Sequence, residues 1–224
     1  MARRSKSEQG DTLQAIRDAG FRLFGKHGFD GVSVDMVAKA AGITKAALYW
    51  HYRNKEALYT DCLAQLHALF QSHVFARMLK GNEPGEQLLA MFAGAVELLR
   101  DRRIREGVAG YWLEASTAEL AEARRMQKRF EDGSSRLIAD IIERGIQQGR
   151  FDFDIPAGEM AQAIIATLEA IILPLRRLTL AQSLRLVATL AHSFFRAYAP
   201  ASDLPARVLL LGSRHRGARV RAES

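Results

Sequence analysis

Apolar residues recur at three- and four-residue spacing through most of this 224-residue chain, and no run alternates apolar with polar positions. Glycine and proline punctuate it only sparsely, so the pattern predicts an all-α protein of about nine helices with no strands. The first helix is expected over about 12–27, capped by Asp11 or Thr12, with Ile16, Ala19, Phe21 (or Gly20), Leu23 and Phe24 facing inward and His27-Gly28 as its stop. Two short helices should follow at about 34–41 and 45–51, capped by Ser33 and Thr44, with Gly42 taking a left-handed turn between them. A longer helix is expected from Lys55 to about Lys80, ended by the Gly81-Asn82-Glu83-Pro84-Gly85 interruption.

Beyond that break the spacing predicts helices over about 85–101, 103–112 and 117–149, the last with Glu122, Arg125, Arg129, Glu143 and Arg144 on its outer face. The final two, about 157–177 and 180–198, are apolar around too much of their circumference to be ordinary surface helices. They carry Met160, Ile164, Ile165, Leu168, Ile171, Ile172 and Leu175, then Leu184, Val187, Leu190, Ala191, Phe194 and Phe195. Such helices need cover on two sides, and the simplest second cover is the same pair from another subunit, which favours a homodimer. Periodicity fades from Pro200, and 200–224 reads as a flexible basic tail, as 1–10 reads as a flexible basic N-terminus.

Charge sharpens this picture. The net charge is +7, but residues 1–60 hold ten Lys/Arg against six Asp/Glu, 61–199 hold seventeen of each, and 200–224 hold five against two. A basic head on a neutral body suits a phosphate-facing head on a regulatory body. The lone Cys62 has neither a disulfide partner nor a Cys-x-x-Cys mate for zinc, so it is expected to be buried, in a cytoplasmic protein. The opening residues lack an apolar signal core, and the best apolar stretch, about 163–175, carries Glu169, so neither secretion nor a membrane span is expected.

The two short helices meet the packing demands of a helix-turn-helix. Ala38 and Gly42 are small enough for a close crossing, and Ile43 and Leu48 face the first helix. Thr44, Lys45, Ala46, Tyr49 and Trp50 are then left outward, on the part of the second helix that would enter a major groove. Thr44 suits a phosphate, Lys45 a base edge or phosphate, and Ala46 and Ala47 a thymine methyl. Tyr49, His51 and Lys55 suit backbone phosphates, which fix register without reading sequence. Trp50 and His51 read equally well as packing residues.

The string GITKAALYWHYRNKEAL, preceded by FGKHGFDGVSVDMVAKAA, closely resembles the TetR family of bacterial repressors over residues 12–60. That resemblance implies a helix-turn-helix DNA-binding domain over 11–55 and a larger ligand-binding and dimerisation domain over 56–199, paired through the last two helices. It implies DNA contacts at Ser33, Val34, Thr44, Lys45, Ala46, Tyr49, Trp50, His51 and Lys55. Asp35 stands where the tetracycline-responsive member carries a base-reading arginine, so no operator sequence transfers. The implied activity is repression of a palindromic double-stranded DNA operator, relieved by a small-molecule effector. A DNA-binding dimer without such an effector, constitutive or governed by a protein partner, is the other reading.

Candidate effector-lining residues are His67, Phe70, Met91, Phe92, Tyr111, Trp112, Glu114, Met126 and Phe130, most of which are expected to be plain core. Trp112 beside Glu114 could hold a cationic ligand, unless Glu114 merely pairs with Arg103 or Arg105. No phosphate-binding loop, dinucleotide fingerprint, nucleophile elbow or zinc-protease helix is present, so neither an enzyme nor a cofactor is expected. His67 and His73 lie six apart and would not share a helix face, which disfavours a metal site.

Overall fold

In the computed structural model, residues 6–113, 120–152, 154–173 and 178–211 are described, and every regular element among them is helical. The elements are α1 (Lys6–His27), α2 (Val34–Ala40), α3 (Lys45–Tyr49), α4 (Lys55–Phe70), a π turn (Gln71–Phe75), α5 (Ala76–Met78), α6 (Pro84–Arg100) and α7 (Arg102–Arg105). A 3-10 turn (Ala109–Trp112), α8 (Ala121–Gln147), α9 (Ala157–Ile172), α10 (Leu180–Tyr198) and α11 (Leu204–Val208) complete the order. The chain divides into two compact units, one built from residues 1–68 and 102–130, the other from 69–101 and 131–224.

The first unit is organised around aromatic rings. Tyr59 on α4 meets Phe24 edge-on at 5.1 Å, Phe29 at 5.3 Å and Tyr111 at 5.6 Å, and Tyr111 reaches Phe21 at 5.6 Å. The Tyr111 hydroxyl donates to the Phe21 carbonyl at 3.1 Å, so this buried polar tip is satisfied. Cys62 lies in the same interior, its thiol pushed well up by burial and by the Asp61 charge. Helix α1 starts at Lys6, earlier than predicted, because the polar lead-in has no apolar repeat for a periodicity argument to detect. Beside the cluster, the Arg17 guanidinium grips Asp61 with two bonds, 2.8 and 3.2 Å long, and the Tyr52 hydroxyl donates to the same carboxylate. Burial, then the bond to Asp61, raises the Tyr52 pKa far above the ordinary phenol range.

The second unit packs α6, α9 and α10 around Phe92, Phe194 and Phe195. Phe92 lies 6.0 Å from each of the other two rings, and Phe194 and Phe195 stand edge-to-face at 5.3 Å. Three of its features depart from prediction. The helix expected from Lys55 to about Lys80 runs helically to Met78, but through a π turn at Gln71–Phe75, where the backbone of α6 comes close. Arg144, expected on an outer face, instead donates at 2.6 Å to the buried Gln87 amide, which itself donates to the Met78 carbonyl at 3.0 Å. The expected flexible tail is in part structured: α11 buries Leu204, Pro205 and Val208. Its Arg207 pairs with Glu86, with one bond of 2.8 Å, and the Pro205 carbonyl lies 2.9 Å from His192 Nδ1. Local sequence could not show this helix, because its three inward residues find their partners on α6 and α10. The arginines at 214, 216, 219 and 221 lie outside the described residues.

Two expected outcomes follow from this packing. A Cβ at Gly94 would stand 2.3 Å from the His73 carbonyl oxygen and 2.8 Å from the Val74 Cα, so Gly94→Ala must push two backbones apart. It is expected to destabilise by about 1–3 kcal/mol, read as a lowered urea midpoint. Tyr52→Phe removes one hydrogen bond to a charged acceptor that keeps its Arg17 partner, and should cost about 1–2 kcal/mol in the same measurement.

Candidate nucleic-acid interface

Two N-caps shape the exposed edge of the first unit. The Ser33 hydroxyl accepts from the Met36 N–H at 3.2 Å and opens α2, and the Thr44 hydroxyl accepts from the Ala47 N–H at 3.1 Å and opens α3. Between the helices Gly42 sits at φ +70, the left-handed conformation that glycine takes without steric penalty. The Ile43 N–H returns to the Ala38 carbonyl at 3.0 Å and closes the turn. Val37, Ala38 and Leu48 are buried, so one side of each short helix is anchored and the other is presented to solvent. This is a helix-turn-helix, with α3 a little shorter than predicted; His51 lies in the turn after it, its N–H bonded to the Leu48 carbonyl at 2.9 Å.

Most predicted contact residues share the presented side. Ser33, Thr44, Lys45 and Ala46 are exposed, Tyr49 is 46% exposed and Trp50 89%. Trp50 is therefore a surface residue and not a packing one. Val34 departs from expectation: it is buried at the first position of α2, where its side chain packs inward and is not offered to a ligand. His51 and Lys55 are half-buried, and the Lys55 ammonium stands 3.9 Å over the Phe29 ring, a cation–π contact that fixes its position at the start of α4.

The structure also adds a pairing and an exposed residue that periodicity did not show. Asp35 Oδ2 accepts from Lys45 Nζ at 2.8 Å, joining the first turns of α2 and α3. That bond, then the carboxylate's charge, raises the Lys45 pKa and keeps the ammonium protonated. A separation of ten residues across a turn matches no single helical repeat, so this pair is invisible to periodicity. Met36 adds an exposed apolar side chain on α2. Nearby, Arg53, Asn54, Glu56, Ala57, Thr60 and Glu122 line an open cleft of about 240 Å³.

The structure places the effector candidates in both units. In the first unit, His67 stacks flat on Phe130 at 4.0 Å and its Nε2 lies 2.8 Å from Gln127 Oε1, while Tyr111 belongs to the aromatic interior. Trp112 and Met126 are half-buried there. In the second unit, Met91 and Phe92 fill the core, already surrounded by packing partners, and Phe70 is half-buried. Glu114 lies outside the described residues. Among the described residues no group of three or more His, Cys, Asp or Glu is placed to hold a metal ion, and no helix is long and apolar enough to cross a membrane.

Residues 16–62 match the family model for bacterial regulatory proteins of the tetR family. The chain is 43% identical over 61 residues to the transcriptional regulator AcrR of Shigella flexneri, a match covering 27% of this chain and 28% of that protein. A longer match, 28% identical over 179 residues, links it to the regulator TtgR of Pseudomonas putida and covers 77% of this chain and 83% of that one. Among solved structures, AibR in complex with isovaleryl coenzyme A and operator DNA superposes with a TM-score of 0.64 at 22% identity, covering 80% of this chain and 97% of that one. The family model thus falls on the segment that builds the helix-turn-helix, and the fold likeness extends over the helices beyond it. Residues 16–62 of this chain are thus a helix-turn-helix of the tetR family of bacterial regulatory proteins.

Proposed function

We propose that this chain is a sequence-specific DNA-binding transcriptional regulator, a binding protein and not an enzyme, which acts as a cytoplasmic homodimer and leaves its operator when a small molecule binds. The observation that carries this reading is the division of α3 into two sides. Leu48 is buried and anchors the helix, while Lys45, Ala46, Tyr49 and Trp50 project from it together. A donor-rich, aromatic helix edge held rigidly at a protein's surface is what a major groove admits.

Dimerisation is supported by the surfaces of the last two helices. Helix α9 exposes Ala163, Ala166 and Ala170, small enough for close helix approach, and α10 leaves Leu186 43% exposed. A second copy would cover both, and tight operator binding needs the two recognition helices of such a dimer roughly 34–36 Å apart, one turn of DNA. Binding of a small molecule is supported by likeness: AibR, of the same fold, was solved in complex with isovaleryl coenzyme A and operator DNA. Whatever factor the effector takes from DNA affinity, DNA must take from effector affinity.

Gel shift or fluorescence anisotropy against the chain's own upstream DNA, with scrambled duplex as control, tests the reading. The expectation is saturable nanomolar binding that weakens steeply with salt, and that Tyr49→Ala weakens by about tenfold, or about 1.4 kcal/mol. Affinity no better than for scrambled duplex would remove autoregulation from the proposal. Leu186→Lys places a charge on the proposed dimer face and should convert the protein to monomer in sedimentation, with loss of operator binding. A variant that stays dimeric would place the interface elsewhere.

A further inference from the structure

Asp35 is a negative charge on a surface otherwise suited to meet phosphates. Its side chain is 66% exposed, yet it is held by Lys45 Nζ at 2.8 Å. An exposed pair of this kind adds little to stability, so the fold does not require it. Both partners occupy the first turns of their helices, Asp35 two residues after the Ser33 cap and Lys45 directly after the Thr44 cap. An ammonium donor and a carboxylate acceptor are therefore presented side by side at one end of the helix-turn-helix.

A DNA phosphate offers only acceptors. It would welcome Lys45 but meet Asp35 as a like charge, so the pair is a poor phosphate clamp. A base pair is different, because its major-groove edge sets acceptors beside an amino donor. In G·C, guanine O6 and N7 accept while the adjacent cytosine N4 donates, and lysine to guanine and aspartate to cytosine N4 are each favourable pairings. The pair matches that edge in polarity, a donor beside an acceptor.

We propose that Asp35 is a specificity-determining residue, and that Asp35 and Lys45 read one G·C base pair in each half-site as a unit. Lys45 donates to guanine and Asp35 accepts from the cytosine amino group. The same carboxylate holds Lys45 away from phosphates and so lowers affinity for random DNA. This inference rests on the DNA-binding reading above and assigns a base to one part of that interface.

The test compares full-length wild type with Asp35→Asn, which keeps the shape and removes the charge, and with Lys45→Gln. Each is put through selection from a randomised duplex library and a salt titration on scrambled DNA. The wild type should enrich a site with a G·C pair that both variants cease to prefer, and Asp35→Asn should bind that site about tenfold or more weakly. On scrambled DNA, Asp35→Asn should bind more tightly, with a salt slope steeper by about one counterion. Enrichment of an unchanged site by Asp35→Asn, or loss at different positions in the two variants, overturns joint readout while leaving DNA binding intact. A wild type that enriches no site overturns the DNA-binding reading and this inference with it. Because Asp35 is exposed, thermal melting of both variants should match wild type, separating lost readout from lost fold.

Discussion

The first unit depends on how closely two stretches of backbone can approach. A Cβ at Gly110 would lie 2.1 Å from the Phe24 carbonyl oxygen, and one at Gly25 would lie 2.3 Å from the Gly107 carbonyl oxygen. With hydrogen in both places, the end of α1 and the 3-10 turn come together, and Tyr111 enters between Phe21 and Tyr59. Tyr59 in turn meets Phe24 and Phe29, and Phe29 carries the Lys55 ammonium on its face. A residue proposed to touch DNA is thus positioned through a chain of ring contacts that begins at two glycines. Dense packing of this kind transmits displacement, since interior atoms have no free volume in which to absorb it.

Polar groups divide by place into those that hold the fold and those that are presented. Arg17, Asp61 and Tyr52 close on one another between α1 and α4, where the guanidinium and the phenol satisfy a single carboxylate. Gln87 serves the second unit similarly, as a buried amide whose oxygen and nitrogen are both used. The Lys45 and Asp35 pair differs: it is exposed, so it adds little to cohesion. Three oppositely charged contacts in one chain therefore carry different roles, decided by burial and by what lies beyond them. Glu86 with Arg207 is the third, in which the guanidinium holds the carboxyl below its usual range and pins α11.

The chain alone determined its all-helical class, the bounds of α2, α6 and α10 to within a residue or so, the caps at Ser33 and Thr44, and the glycine turn at 42. These features are local: a cap acts over three residues, a left-handed glycine over one, and an amphipathic face over a few turns. Most of the exposed side of α3 was legible for the same reason, because a single buried position, Leu48, sets which residues of a short helix must point outward. Tertiary structure decided the rest. The burial of Val34, the π turn against Gly94, the use of Arg144 by Gln87, the docking of α11 and the joining of Asp35 to Lys45 each depend on a partner from another element. Periodicity records which face of a helix is apolar, but it does not record what stands opposite that face, and contact energies act between those opposed surfaces.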